Sequence, residues 1–352
     1  MTASCDFRSD TVTLPTQEMM EAILRAPLGD AARGDDPTVK ALEELGSELL
    51  GMEKALFLPS ASMANLASII AHDCRGGEVI VEADAHVYNS EGGALSVVAG
   101  AVVRPLIGEH GLLSPAVVAT RIRTAPALGT APARLLCLEN THNAAGGVVM
   151  PQDQMAALHD LAKSAQVPLH LDGARLFNAA AYLGVTVREI SKNCDSVTIA
   201  LSKGLGAPVG ALLAGPEGFM AKARRAARML GGSMRQAGVI AAPAIVALQA
   251  DPYGLISRDH KRARRLAEGL AAIDPRLVDL SRVQTNIVNV YTRHLYDDAA
   301  QLAQALKPHG VHALRRNAHT VRFVTHSGIR DEDVTAVLSA IESILASVTP
   351  ID

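Results

Sequence analysis

From residue 55 onward the sequence alternates between short apolar runs and longer amphipathic stretches. Six runs have the length and composition of β-strands: 55–58, 79–82, 102–106, 135–139, 169–172 and 196–201. Helical patterns at 62–72 and 152–165 lie between some of them. This alternation predicts an α/β fold with a mainly parallel sheet and helices on both faces. Because such sheets bind ligands beyond the carboxyl ends of their strands, polar residues that follow these runs are the first functional candidates.

The chain of 352 residues is long enough for one large and one smaller domain. Before residue 55, helices are predicted at 16–26 and 36–50, and the apolar stretch 93–100 is interpreted as a packed helix. A long helical stretch from about 237 to 270 leads out of the large domain. Beyond it, a small α+β domain is predicted from strand patterns at 278–280, 285–290 and 318–324 and helical patterns at 297–307 and 331–347. We place the large domain at 1–250, with an N-terminal arm at 1–50, and the small domain at 251–352.

Composition excludes several classes of function. The net charge is −3, and no basic block is interleaved with aromatic residues, which argues against nucleic-acid binding. The four cysteines lie far apart without a CxxC pair, which suits a reducing cytosol. We find no signal peptide, no apolar run long enough for a bilayer and no cluster of metal ligands. The expectation is a cytoplasmic protein without membrane or nucleic-acid partners, and the sequence predicts no metal-ligand residues while leaving a bound ion open.

Two of the predicted strands bring chemically active residues to their ends. One ends on Asp172, and the next is followed two residues later by Lys203. A lysine can bond the aldehyde of pyridoxal phosphate (PLP), and a carboxylate can pair with the pyridine nitrogen and keep the ring protonated. A protonated ring accepts the electron pair released at Cα of a bound amino acid. Asp172 and Lys203 therefore predict a PLP enzyme, with both as catalytic candidates.

Two segments are candidates for the cofactor phosphate. Ser60, Ala61 and Ser62 form a small-residue turn between a strand and a helix, where hydroxyls and backbone N–H groups can cradle a phosphate. The alternative is that one of the serines only caps the helix. Arg235, in a glycine-containing turn, is predicted to contact the phosphate, including that of a neighbouring subunit, or else to be a solvated loop charge.

Two histidines follow strand ends. An imidazole at His86 could stack on the cofactor ring and move protons near neutral pH. The alternative for an isolated histidine is a ring whose hydrogen bonds are satisfied by the backbone. His142 also follows a strand; it is the second choice for this role and is counted with the substrate-binding candidates.

Arg175 and Arg322 are candidates to bind a substrate carboxylate, since a guanidinium binds it through two hydrogen bonds. Arg322 lies among apolar residues in an alternating strand, where an unpaired charge is costly. The alternative for either arginine is a structural salt bridge. Ser9, in Arg8-Ser9-Asp10, could add a hydroxyl or could simply form a turn.

Taken together these segments resemble the L-threonine aldolase and L-allo-threonine aldolase family. The matching pieces run in family order: 7–13, 34–39, 138–143, 172–178, 201–206, 234–236 and 321–322. The resemblance implies a fold type I, transferase-like PLP enzyme with a seven-stranded sheet in its large domain. It also implies retro-aldol cleavage of L-threonine, L-allo-threonine and related β-hydroxy-α-amino acids to glycine and an aldehyde.

The resemblance assigns roles to individual residues. It implies that Lys203 holds PLP, Asp172 pairs with its nitrogen and His86 stacks on its ring, where it is also our candidate base. It places the substrate carboxylate and the cofactor phosphate on these residues: Ser9, Arg175 and Arg322 for the carboxylate, and Ala61, Ser62 and Arg235 for the phosphate. Ser60 and Arg175 are counted with the cofactor-binding candidates. The family further implies a homotetramer, a dimer of dimers with sites shared across an interface.

Departures from the family pattern leave substrate choice open. Where the family commonly has Val-Tyr, this chain has Ala32-Arg33, and the stretch 128–132 lacks a histidine that many members carry. An inward Arg33 would favour an acidic substrate such as hydroxyaspartate, whereas an outward one would only pack at a subunit interface.

Three other functions stay open at this point. Racemisation and β-elimination begin on the same scaffold with the same lysine. They differ from aldol cleavage in which Cα bond is broken or in the steps after that bond is broken. A PLP-fold protein without catalysis would be expected to lack Lys203 or Asp172, and both are present.

Overall fold

A computed structural model describes residues 4–122 and 128–347. The strands are β1 Cys5–Asp6, β2 Lys54–Leu58, β3 Glu78–Glu82, β4 Val102–Leu106, β5 Ala133–Glu139, β6 Leu169–Asp172, β7 Ser196–Ala200, β8 Ala211–Gly215, β9 Ile287–Tyr291, β10 Val311–His312, β11 Leu314–Asn317 and β12 Thr320–Val324. The α-helices are α1 Gln17–Arg25, α2 Pro37–Leu50, α3 Ala61–Ala71, α4 His86–Asn89, α5 Ala94–Val97, α6 Pro115–Ala119, α7 Gln152–Ser164, α8 Leu176–Leu183, α9 Val187–Ser191, α10 Glu217–Met229, α11 Gly238–Gln249, α12 Pro252–Ile273, α13 Ala300–Leu306 and α14 Asp331–Leu345.

Seven strands form the large sheet, in the spatial order β2-β8-β7-β6-β5-β3-β4. All run in one direction except β8, which pairs antiparallel with β2 and β7. β3, β7 and β8 are buried along their whole length, as expected for a sheet covered by helices on both faces. The predicted α/β class and the mainly parallel sheet are confirmed.

The six runs identified in the sequence all form strands, and β8 is the seventh, which the sequence pattern does not reveal. Its sequence, Ala-Leu-Leu-Ala-Gly, has no β-branched or aromatic residue, so its intrinsic preference for a strand is weak. Burial between β2 and β7 stabilises it instead. Tertiary packing therefore decides this element.

The helical stretch predicted from 237 to 270 is two helices, α11 and α12, with a bend of 74° between them. Pro252 begins α12, and the Asp251 side chain caps it by accepting a hydrogen bond from the Gly254 N–H at 2.9 Å. Proline at the first helical position starts a helix but cannot continue one. Among the described helices, none alone has the length and apolar character needed to cross a bilayer. The bent pair α11 and α12 reaches that length and apolar character only when the two helices are taken together.

A hydrophobic core separate from the large sheet lies between helices α12, α13 and α14 and the antiparallel sheet β11-β12-β9. Strands β9 and β12 contribute buried residues to it, whereas β11 is exposed. Phe7 also belongs to this core, because β1 pairs with β10 and the Phe7 ring packs edge-on against Phe323 at 5.8 Å. The start of the chain therefore packs with its C-terminal part. The boundary at residue 250 stays a prediction.

Two local expectations were wrong. No strand forms at 278–280, because Asp279 caps a short 3₁₀ turn at Leu280–Arg282 through a hydrogen bond from Ser281 N–H at 3.0 Å. The stretch 93–100 contains only the single turn α5, and Val97 is 83% exposed rather than packed. Positive φ angles at Gly93 and Gly100 confine the helix to that turn.

Candidate active site

The carboxyl ends of β3, β5, β6 and β7 meet at one edge of the sheet, because these strands are parallel neighbours. Asp172 is the last residue of β6, and Lys203 follows the end of β7. His86 begins α4 just after β3. The edge predicted from the sequence thus collects the three catalytic candidates.

The Asp172 carboxylate is 2% exposed and held by two donors. Its Oδ2 accepts a hydrogen bond from Asn65 Nδ2 at 2.9 Å, and its Oδ1 accepts one from the Ala174 N–H at 3.1 Å. Asn65 lies on the buried side of α3. Its side chain therefore fixes the position of the carboxylate from a neighbouring element.

His86 is paired with Glu91. The His86 Nδ1 lies 3.1 Å from Glu91 Oε1, and that same oxygen accepts a second hydrogen bond from Asn65 Nδ2 at 3.1 Å. The hydrogen bond to Glu91 raises the pKa of His86, while burial raises the pKa of Glu91. The backbone N–H of His86 donates to Glu139 Oε2 at 2.7 Å, which fixes the start of α4.

Lys203 is half-buried beside these groups. Burial and the Arg175 guanidinium both lower its pKa, although Asp10 and Asp172 oppose the shift. A lowered pKa increases the neutral fraction of the amine, which is its nucleophilic form. The Thr13 hydroxyl donates to the backbone carbonyl of Lys203 at 3.4 Å, so the N-terminal arm contacts this turn.

Arg175 forms a buried salt bridge with Asp10. Its Nε and NH2 donate to the two carboxylate oxygens, both at 2.7 Å. Burial alone would raise the pKa of Asp10, but the guanidinium outweighs it and holds that pKa well below its usual range. The positive charge of Arg175 is thus neutralised inside the protein.

Arg322 is a buried guanidinium without a carboxylate partner among residues 4–122 and 128–347. Its NH1 donates to Asn143 Oδ1 at 3.0 Å and its NH2 to the backbone carbonyl of Arg8 at 3.4 Å, while its buried Nε has no hydrogen-bond partner in the described part of the chain. Burial lowers the pKa of Arg322 to about 10. Asn143 Oδ1 also accepts from Arg175 NH1 at 3.1 Å, so one amide oxygen holds both guanidiniums.

Comparison with known proteins places this chain in a family. Residues 6–294 match the family described as beta-eliminating lyase. The chain is 40% identical over 346 residues to low-specificity L-threonine aldolase 1 of Arabidopsis thaliana, covering 96% of each chain. It is 39% identical over 342 residues to low specificity L-threonine aldolase of Escherichia coli K12, covering 97% of this chain and 99% of the relative. The chain belongs to the threonine aldolase family.

The family predicted from sequence motifs is therefore confirmed. Among solved structures, a threonine aldolase of Leishmania major superposes with a TM-score of 0.81, covering 97% of this chain and 99% of that one. Sequence identity to that structure is 18%, so this likeness concerns the fold. It agrees with the fold type I architecture expected of the threonine aldolase family.

The two phosphate candidates of this threonine aldolase family member lie in different settings. Ser60 and Ser62 are exposed at the N-terminus of α3, where Ser60 Oγ accepts a hydrogen bond from the Met63 N–H at 3.2 Å. This capping was the alternative interpretation for a serine there, and it leaves the helix N-terminus open to solvent. The Arg235 side chain is 68% exposed and pairs with Asp30 at 3.0 Å, with no hydrogen bond or ion pair to Asp172 or Lys203.

Three substrate candidates are not brought to the Asp172 cluster by contacts within the described part of the chain. Arg33 is 79% exposed and pairs with Asp30 at 3.4 Å. The His142 ring is 1% exposed, with Nε2 3.0 Å from Glu82 Oε2 and Nδ1 accepting from the Ala145 N–H at 3.2 Å. Ser9 accepts hydrogen bonds from the N–H and hydroxyl of Thr11 and so shapes the turn that carries Asp10.

Four residues of the candidate site were not predicted from the sequence: Asp10, Asn65, Glu91 and Asn143. Asp10 and Asn143 lie inside family-like segments but carried no assigned role. Asn65 offered a signal, because it is a single amide within an apolar helix. Glu91 offered none, since its partner His86 is five residues away across a turn.

Proposed function

We propose that this chain is a PLP-dependent aldolase that cleaves L-threonine, L-allo-threonine and related L-β-hydroxy-α-amino acids to glycine and an aldehyde. The observation that carries the proposal is the placement of Asp172 and Lys203 at the ends of adjacent parallel strands. The buried guanidinium of Arg322, which has no carboxylate partner among the described residues, supports it. A buried cation without a counter-ion is costly unless an anion arrives. The carboxylate of an amino acid is such an anion.

The residues fit PLP. Lys203 has a lowered pKa and would bond the cofactor aldehyde, while Asp172 would hold the pyridine nitrogen. The first turn of α3, with Ser60, Ala61 and Ser62, would bind the phosphate through its N–H groups and the helix dipole. Bound in this way, the cofactor supplies an electron sink conjugated to Cα of the amino acid.

The substrate carboxylate is assigned to Arg322. Arg175 already uses its Nε and NH2 for Asp10, so its role is to add positive charge and to share Asn143 with Arg322. Ser9 adds a hydroxyl from the turn that carries Asp10. Holding the carboxylate in one place orients the Cα–Cβ bond for cleavage, which is a contribution of positioning rather than of chemistry.

His86 is assigned to the cofactor ring and to proton transfer. Its side chain is 31% exposed and lies beside Asp172, so one face remains open to a ligand. Removing the proton of the β-hydroxyl releases the aldehyde, and an imidazole is suited to that step near neutral pH.

The Arg33→Tyr variant tests whether Arg33 selects an acidic substrate. Because Arg33 is 79% exposed and paired with Asp30, we expect Arg33→Tyr to leave the preference between L-threonine and L-hydroxyaspartate within about twofold of wild type. The measurement is the ratio of kcat/KM for the two substrates. A loss of the hydroxyaspartate preference by tenfold or more would show that Arg33 reaches a site, and would support the acidic-substrate alternative.

We also propose a cytoplasmic homotetramer, a dimer of dimers acting on a small amino acid without nucleic-acid or membrane partners. Support for assembly comes from large exposed apolar side chains along the N-terminal arm: Leu14, Met20, Leu24 and Leu28. All four cysteines are free and buried, which suits a reducing compartment. In an assembly, exposed Arg33 and Arg235 would face a neighbouring copy.

Glycine and aldehyde release from PLP-loaded protein tests the proposal. L-Threonine, L-allo-threonine and L-hydroxyaspartate are supplied separately, and both products are quantified. The expected result is that at least one of these substrates releases glycine and its aldehyde in equal amounts. If none is cleaved while the cofactor is bound, the beta-eliminating lyase family offers the second candidate. Ammonia release from L-serine or Cα-proton exchange of L-alanine would then identify β-elimination or racemisation.

A further inference from the structure

Glu91 has no role in the function proposed so far, yet its carboxylate lies at the centre of the site. Its side chain is 4% exposed. One oxygen, Oε1, contacts both His86 Nδ1 and Asn65 Nδ2, each at 3.1 Å. A ring nitrogen of His86 and a carboxylate oxygen from each of Glu91 and Asp172 all lie within 4.8 Å of one another. A buried carboxylate placed against an imidazole controls where that ring carries its proton.

His170 fixes the orientation of the Asn65 amide from the side opposite Glu91 and Asp172. His170 is fully buried, and burial lowers its pKa to about 3, so the ring is neutral. Its Nε2 lies 3.3 Å from Asn65 Oδ1, while its Nδ1 lies 2.9 Å from the hydroxyls of Ser68 and Ser196. A hydroxyl can donate to Nδ1, which leaves Nε2–H to donate to the amide oxygen.

The Asn65 amide nitrogen therefore faces forward, toward Glu91 and Asp172. Its two N–H groups can serve both carboxylates, at 3.1 Å and 2.9 Å. Burial raises the pKa of Glu91, and the hydrogen bonds from His86 and Asn65 oppose that shift by favouring the ionised carboxylate. When Glu91 is ionised it can only accept, so the proton between it and His86 then lies on Nδ1.

We infer that Glu91 is a positioning residue that holds a proton on His86 Nδ1 and thereby keeps His86 Nε2 free to take the proton of the substrate β-hydroxyl. The inference rests on the proposed aldol cleavage and gives His86 a defined tautomer in it. Among the described residues, none hydrogen-bonds Nε2. The ring is partly exposed, so Nε2 has room for a substrate.

The proton and electron balance is simple. The β-hydroxyl proton moves to Nε2, and the O–H electron pair forms the aldehyde carbonyl. Bound PLP would supply the sink for the electron pair of the Cα–Cβ bond when that bond breaks. The Nδ1 proton stays in the hydrogen bond to Glu91, which stabilises the positive charge on the ring. Delivery of the Nε2 proton to Cα or to water restores the neutral histidine.

The pH dependence is set by the groups that face His86. Glu91 and Asp172 raise its pKa, Lys203 and burial lower it, and the net direction is upward. Nε2 accepts a proton only while it is unprotonated, so activity should fall as the pH drops through this raised pKa. In Glu91→Gln the neutral amide no longer supports the cation, and the acid limb of the pH profile should move to lower pH.

Two readouts on the PLP-loaded protein test the role of Glu91. The first is the pH profile of kcat/KM: in Glu91→Gln the acid limb should move down by roughly one pH unit, and the plateau should fall about 10- to 100-fold. The second is the rate at which diethyl pyrocarbonate modifies His86, measured by peptide mass spectrometry across pH. This reagent attacks the unprotonated ring. The pH at which the modification rate is half-maximal therefore reports the pKa of His86 and does not require turnover.

Two variants complete the design. Glu109→Gln is the control, because it removes one negative charge at an exposed position. It should leave the pH midpoint of His86 modification unchanged. Glu91→Asp keeps the carboxylate and should retain a midpoint above that of Glu91→Gln. If both Glu91 variants have the wild-type midpoint, the inference is wrong even if aldol cleavage is observed. A shifted midpoint in a protein that cleaves no β-hydroxy amino acid would support the Glu91–His86 pair and refute the proposed function instead.

Discussion

Lys203→Ala is expected to abolish turnover and to remove the visible absorbance band of the bound cofactor. Lys203 is the half-buried amine at the strand ends, with a pKa lowered by burial and by Arg175. Without it no amine is in place to bond the cofactor aldehyde. Loss of a residue that forms a covalent bond in catalysis typically costs a factor on the order of 10³ or more in kcat.

The matched control for this change is Lys163→Ala, because Lys163 is exposed on α7. This control should keep both the band and the turnover. Lys203→Ala should remain folded, because it removes a cation whose lowered pKa shows that burial disfavours its charge. Turnover within tenfold of wild type in the folded variant would show that another residue is the nucleophile.

Much of the fold was predictable because the signals are local. Apolar runs and helical periodicity each lie within a few residues of sequence. Parallel packing of those runs then places Asp172 and Lys203 at one edge without further information. The exceptions were β8, which lacks strand-forming residues, and 278–280, where capping by Asp279 replaced the strand.

The contacts within the site could not be predicted, since they join distant parts of the chain. Arg175 lies 165 residues from Asp10, and Asn65 lies 107 residues from Asp172. The sequence left open whether Arg175 and Arg322 bind substrate or form salt bridges. The structure distinguishes them: Arg175 has a buried counter-ion, and Arg322 has none among the described residues. Only the three-dimensional arrangement carries that difference.

That difference leads to opposite expectations for two arginine variants. Arg322→Leu should raise the KM for L-threonine about 100-fold, because two charge-assisted hydrogen bonds to the carboxylate are lost. It should not lower the free energy of unfolding, because the removed cation is buried and lacks a carboxylate partner within 4–122 and 128–347. Substrate saturation curves and urea unfolding measure the two effects separately.

Arg175→Leu should instead lower the free energy of unfolding by about 3–5 kcal/mol at pH 7, because the fully buried Asp10 loses its counter-ion. In the wild type the lowered pKa of Asp10 gives stability that is present above its unfolded pKa of about 3.9 and is lost as the pH falls below it. In the variant, burial without a cation raises that pKa. The variant's charge penalty is then present at neutral pH and is relieved as the pH falls and Asp10 takes up a proton.

The stability difference between wild type and Arg175→Leu should therefore narrow from pH 7 toward pH 4, whereas Arg322→Leu should show no such narrowing. Urea unfolding at several pH values measures this directly. A constant difference across that range would mean that Asp10 stays ionised without Arg175. A strong loss of stability in Arg322→Leu would mean that Arg322 is held by structure rather than kept for a substrate. The unpaired guanidinium would then no longer support the assignment of the carboxylate site.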